Sequence, residues 1–183
     1  MTPSTLIGAG LNALDEDALF HIFSTMTFEA LATFRMVSKH FKIMADTYIF
    51  HLWHKALSTF VDDVEAFCHL LQQFRAVVSG SVTLHVILHA TRFLWWKPND
   101  MDICCCLGQA DKITDFLCDS FGYHRLDEST DVAENYVHDY QGAVASVICL
   151  HHPMHGMRID IISTPKALPK FPIPAFWGTL VMN

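Results

Sequence analysis

Apolar residues recur at helical spacing over roughly the first sixty positions, and short continuous apolar runs follow. Residues 1–13 form a loose leader rich in Gly, Ser and Thr. Asp15, Glu16 and Asp17 then open a helix, where acids complement the positive end of the helix dipole. Leu19, Ile22, Phe23 and Met26 follow as one apolar stripe. Thr27 can cap a second helix carrying Leu31, Phe34 and Val37, and Ser38 a third with Phe41, Met44 and Ala45. A fourth short helix would hold Phe50, Trp53 and Leu57. Each is shorter than the roughly 12–15 residues that persist alone in water, so all must pack on one another or on a partner.

The pattern changes after residues 58–62, where the domain boundary is placed. Asp62 and Asp63 start a helix with Val64, Phe67, Leu71 and Phe74 on one face. Ala76–Val78 reads as a short strand closed by Ser79-Gly80-Ser81, and a helix is expected from Val82 to about Leu94. Lys97-Pro98-Asn99 is a turn, Met101–Leu107 a buried strand, and Ile113, Phe116, Leu117 and Phe121 a helical face. Ala143–Leu150 and Met157–Ser163 read as two strands around a His- and Pro-bearing turn, and four prolines between Pro165 and Pro174 then interrupt regular structure. The fold class is α+β: a helical module at 14–57 and a small mixed-sheet α/β domain at 62–183.

Composition narrows the function classes. Apolar residues make up 51% of the chain, enough for a packed core. Nineteen Asp and Glu against 12 Lys and Arg give a formal charge of −7, which argues against a nucleic-acid surface. It leaves room for a nucleotide held through a metal ion. No basic segment leads into an apolar run and cleavage site, and no stretch reaches the roughly 20 apolar residues of a membrane span. The six Cys are therefore read as reduced thiols of a cytoplasmic or nuclear chain that is not secreted. Cys104, Cys105 and Cys106 are consecutive on a strand and alternate between faces, so they cannot converge on one zinc ion; they read as core. His151, His152 and His155 sit in a turn without an acid or Cys at ligand spacing and read as solvated.

The segment LDEDALFHIFSTMTFEALATFRMVSKHFKIMADTYIFHLW resembles an F-box. Leu14, Leu19, Ile22, Phe23, Ser24, Met26, Leu31, Val37, Ser38, Lys39, Phe41 and Trp53 fill the family's positions, while Asp15 stands where Pro is usual and Phe41 where Trp is common. The resemblance implies docking on the Skp-type adaptor of a cullin ubiquitin ligase. The partner-binding residues it implies are Leu14, Leu19, Ile22, Phe23, Met26, Leu31, Val37 and Trp53. Anchors at i, i+3, i+4 and i+7 suit such a helix-in-groove contact. The competing reading is a plain helical cap on the α/β domain.

Three further segments carry chemistry. Ser79-Gly80-Ser81 at a helix start is a natural phosphate cradle. Asp100 and Asp102, two apart at a strand edge, project to one face, and Asp160 lies within the strand Arg158-Ile159-Asp160-Ile161-Ile162. The order resembles the nucleotidyltransferase fold of the DNA polymerase beta superfamily, and Thr179–Asn183 resembles the segment after the third strand in uncharacterised fungal proteins with such a domain. The resemblance covers about residues 75–183. It implies Mg²⁺ held by Asp100, Asp102 and Asp160, with Gly80 and Ser81 on the nucleotide. Turnover is counted against by the long apolar interval before Asp100, by the scarcity of lysines (Lys97, Lys112 and Lys166), and by a chain that stops at Asn183, before the helical part of related proteins. The expectation is therefore an adaptor with an inactive nucleotidyltransferase-like platform that presents an unknown target and needs no cofactor. A Mg²⁺-dependent nucleotidyltransferase is the alternative, and an interaction domain with neither activity the third reading.

Overall fold

The computed structural model describes residues 14–89, 96–126 and 142–165. The leader at 1–13, the apolar Phe93–Trp95, the prolines Pro169, Pro172 and Pro174, and the 179–183 segment fall outside them. The chain divides into two compact units, Met1–Lys55 with Val86–Trp96, and Ala56–His85 with Lys97–Asn183.

Among its described residues, the first unit has three principal helices: α1 (Glu16–Ser24), α2 (Phe28–Phe34) and α3 (Lys39–Leu57). The caps read at Thr27 and Ser38 are found, and Asp15, read as a first-turn acid, is itself the cap of α1. Asp15 Oδ1 accepts from the Ala18 N–H at 2.8 Å, Thr27 Oγ1 from Ala30 at 3.2 Å, and Ser38 Oγ from Phe41 at 3.2 Å. The expected third and fourth short helices are one. No Pro or Gly occurs between Lys39 and Leu57, so nothing ends the first before the second begins. Val37 lies in the turn after α2 instead of on it.

Leu19, Phe23, Leu31, Phe41, Ala45 and Tyr48 form the core of this unit, with Leu14, Phe20, Met26, Phe34 and Leu52 packed around them. Its centre is aromatic. Phe23 meets Phe34 edge-on at 5.4 Å, Phe20 meets Tyr48 at 5.2 Å, and Phe34 lies 4.6 Å from Phe41. Outside the core, Asp46 accepts from Lys42 at 2.6 Å and pairs with Arg35, tying the end of α2 to α3. These side chains are more than a third exposed, so the network adds well under about 1 kcal/mol per pair.

The second unit begins with α4 (Val64–Phe74), capped by Asp63 Oδ1 on the Ala66 N–H at 2.9 Å. Then come β1 (Val77–Ser79), α5 (Gly80–Ile87), β2 (Asp100–Cys106), α6 (Ala110–Phe121), β3 (His124–Arg125), β4 (Ser146–His151) and β5 (Arg158–Thr164). Helix α5 starts two residues earlier than expected and ends at Ile87, short of the expected Leu94. There the His89 N–H turns back to the Val86 carbonyl at 3.4 Å. The five strands form one mixed sheet in the order β1-β2-β5-β4-β3. Strands β2 and β5 are parallel, and the other pairs are antiparallel.

Alternation divides the sheet by face. Met101, Ile103, Ile159, Ile161 and Leu150 are fully buried, as are Ile113 and Leu117 of α6, the helix that packs on β5. The other face of β2 and β5 carries Asp100, Asp102, Arg158 and Asp160, and farther along Cys104 and Ile162, which cluster with Val144 and Val147. Cys104 and Cys105 are wholly buried, and burial pushes both thiols up to about 12, so these two are inert core, while Cys106 at the strand end is half-buried. Tyr123 is buried too and donates its hydroxyl to the Phe60 carbonyl at 2.8 Å.

The packing of the first unit separates two neighbours in sequence. Phe23→Ala should cost about 3–5 kcal/mol by the loss of a fully buried aromatic ring. Ile22→Ala, at an exposed position, should cost less than about 1 kcal/mol. Urea denaturation of both variants checks the contrast, and equal losses would refute this assignment of core and surface.

Candidate functional site

Two regions carry the residues singled out from the sequence. In the first unit, the eight positions implied for partner binding fall into two sets. Leu19, Phe23 and Leu31 are buried in the helical core, and Leu14, Met26 and Trp53 are half-buried. Ile22 and Val37 are exposed. The buried set therefore shapes the surface from beneath, and a partner can touch Ile22, Val37 and the open side of Met26 directly. A groove of 460 Å³ runs beside α2, with Met26, Ala30, Phe34 and Val37 as its apolar lining and Glu29 and Thr33 as its polar rim. Met36, 86% exposed next to Val37, and Ile43, also exposed, add apolar surface that the sequence pattern did not single out. They stand out only once the core is known, because an apolar residue off the stripe is otherwise unremarkable.

In the second unit, Gly80, Ser81, Asp100, Asp102 and Asp160 converge. Pairing of β1 with β2 sets Ser79 opposite Asp102, and pairing of β2 with β5 sets Asp102 opposite Asp160 and Asp100 opposite Arg158. Gly80 lies at φ +67, and a Cβ there would come 1.9 Å from Asp102 Oδ2. Only glycine lets the chain turn from β1 into α5 over that carboxylate. Ser81 Oγ lies 2.9 Å from both the carbonyl oxygen and Oδ1 of Asp100 and donates between them.

This cluster is crowded with negative charge, and among the described residues Arg158 is the cation paired with it. Arg158 donates from Nε to Asp160 Oδ1 at 2.7 Å and from Nη2 to Oδ2 at 2.8 Å, a bidentate pair. Its Nη2 also reaches Cys149 Sγ at 3.4 Å. Asp160 is 3% exposed and Asp102 7%. Desolvation, then the charges of Asp100 and Asp160, push the Asp102 carboxyl up to about 7, with Arg158 opposing. Arg158 was not singled out from the sequence. The signal was present, since residues two apart on a strand share a face and Arg158-Ile159-Asp160 is such a pair.

These residues do not fit a divalent cation. Mg²⁺ needs carboxylate oxygens free to ligate. Both oxygens of Asp160 are engaged by Arg158, and Oδ1 of Asp100 accepts from Ser81. Among the described residues no group of three or more His, Cys, Asp or Glu could hold a metal ion. The histidines of the β4–β5 turn follow the same rule. His152 stacks on His155 at 4.4 Å, and its Nδ1 accepts from the Met154 and His155 N–H groups at 3.2 Å.

Comparison with known proteins bears on the first region. The F-box domain family model matches residues 11–53, so that stretch is an F-box domain. No curated protein and no solved structure matches the chain. The resemblance of residues 75–183 to nucleotidyltransferases, and its fungal kinship, gain no support from these comparisons. No described helix is long and apolar enough to cross a membrane.

The state of Asp102 makes stability depend on pH. Its folded-state pKa lies above its ordinary 3.8, so the folded protein takes up a proton on Asp102 between about pH 4 and pH 7. Stability from this group therefore falls as pH rises through that window. Asp102→Asn should be more stable than the wild type at pH 8, by on the order of 1–3 kcal/mol beyond any difference at pH 4. Denaturation at the two pH values measures it, and a difference independent of pH would rule out a charged, buried Asp102.

Proposed function

We propose that the chain, with its F-box domain at residues 11–53, is a protein-interaction adaptor that links a target to a cullin ubiquitin ligase through a Skp-type adaptor. The F-box match is the observation that carries this reading, because F-box domains generally bind that adaptor. The surface agrees with it: Ile22 and Val37 are exposed apolar residues, and Met26 and Val37 line a groove beside α2. Leu19, Phe23 and Leu31 contribute by holding the helices that present this surface, not by inserting into the partner. In this reading the second unit is a platform for an unknown target, the chain works outside secretory compartments, and no cofactor is required.

The alternative is Mg²⁺-dependent nucleotidyl transfer using Asp100, Asp102 and Asp160 beside Gly80 and Ser81. The convergence of these five residues favours it, and the commitment of Asp160 to Arg158 opposes it. On the platform reading, ATP with Mg²⁺ leaves the melting temperatures of the wild type and of Asp100→Ala/Asp102→Ala equally unmoved. A rise confined to the wild type would favour the enzyme.

A pull-down with a purified Skp-type adaptor tests the main reading. The wild type should be retained, and Ile22→Asp/Val37→Asp should lose at least about tenfold in retention with an unchanged melting temperature. This pair avoids Leu19 and Phe23, whose replacement by polar residues would unfold the core and mimic a lost contact. Failure of the folded wild type to be retained at micromolar adaptor would sink the proposal.

A further inference from the structure

We propose that the Arg158 guanidinium is the resident counter-cation of the buried Asp102 and Asp160 pair, and that it takes the place a divalent metal ion would otherwise fill between these two carboxylates. The proposal is independent of the adaptor reading, since it concerns only the second unit and is read out by metal binding.

The argument starts from charge. Parallel pairing of β2 with β5 fixes Asp102 beside Asp160, and both carboxylates are more than nine-tenths buried. Two buried carboxylates side by side require a cation or a proton, because an unpaired buried charge is far costlier than a paired one. A divalent ion bridging the strands is one solution. The protein uses another. Arg158 lies on the same strand two residues from Asp160, and its planar fork matches the carboxylate in two hydrogen bonds of 2.7 and 2.8 Å. Cys149 on the neighbouring strand, opposite Asp160, receives a further N–H at 3.4 Å and helps fix the guanidinium.

The rest of the pocket is closed in the same way. Ser81, at the start of α5, donates to Asp100 instead of facing outward with a free hydroxyl. Gly80 packs directly over Asp102. Asp160 and one oxygen of Asp100 are thus engaged from within the chain. Removal of Arg158 alone should uncover oxygen ligands that already share one face: Asp160 entirely, with Asp102 beside it and Asp100 one register step away.

Mn²⁺ is the probe, with thermal unfolding of the full chain as the readout. The wild type should show no Mn²⁺-dependent rise in melting temperature. Arg158→Gln should gain one, roughly 5 °C or more at a Mn²⁺ concentration about a hundredfold above its Kd. Adding Asp102→Asn to Arg158→Gln should abolish the gain, which separates the pocket from surface carboxylates. A wild type stabilised by Mn²⁺ in an Asp102-dependent way would overturn the proposal, and so would a folded Arg158→Gln protein indifferent to the metal. If Arg158→Gln does not fold in EDTA, refolding in Mn²⁺ should recover it, because the ion restores the missing charge. Absence of that recovery also overturns the proposal.

Discussion

The second unit is organised around buried negative charge. Two carboxylates that face each other across a parallel strand pair carry a desolvation cost of several kcal/mol each unless something compensates it. Arg158 supplies the compensation for Asp160, and the raised pKa of Asp102 shows what remains uncompensated. Other features follow from this constraint. The turn into α5 must be glycine, because Asp102 occupies the space a Cβ would need. The Ser81 hydroxyl is drawn onto Asp100. Cys149 beside Arg158 has its thiol pushed up to about 11, by desolvation first and the Asp160 charge second, so it stays protonated in that setting. Farther along the same face, with the charges left behind, Cys104, Val144, Val147 and Ile162 form ordinary apolar core.

The first unit is organised differently, by shape. Its core is a set of aromatic rings meeting at edges and tilts, drawn from all three helices. Such a core leaves little freedom in how α1 and α2 are presented, because each ring is seated against others in close packing. The consequence for binding is that buried and exposed members of one sequence pattern have different jobs. Phe23 and Leu31 set the angles of the helices, while Ile22 and Val37 are what another protein can meet.

Much of this was legible in the sequence, and the failures have physical causes. The caps at Thr27 and Ser38 were readable because a short oxygen-bearing side chain before an apolar period has one common use, whereas Asp15 and Asp63 were read only as acids that open a helix. Four strands were readable from apolar runs bounded by turns, whereas β3, two exposed polar residues, gave no such signal; α+β is the architecture found. Continuity of α3 was missed because its mixed face gives weak periodicity, although the absence of Gly and Pro pointed to one helix. The division of the apolar stripe into core and surface could not be read, since it depends on where three helices cross. Whether Gly80, Ser81, Asp100, Asp102 and Asp160 converge was left open by the order of motifs; strand pairing brings them to one edge of the sheet. What the order of motifs could not convey was that Asp160 and one oxygen of Asp100 are already engaged. Engagement of Asp160 depends on Arg158, a residue inside the quoted segment to which no role was given.

That difference between convergence and engagement bears on what the second unit can do. An active site keeps groups poised, with donors and acceptors aimed at where a reactant's charge will develop, at some cost in stability. A platform has no such need, and its buried polar groups are free to satisfy one another. In this sheet the strand order and the glycine turn have the outline of a catalytic centre, yet the hydroxyl serves a neighbouring aspartate and the third carboxylate serves an arginine. Asp102 is the exception: burial among like charges leaves it half-protonated near neutral pH. With Asp160 held by Arg158 and one oxygen of Asp100 held by Ser81, the pocket lacks three carboxylates open to a shared ligand. That arrangement is compatible with the platform role proposed above for the second unit.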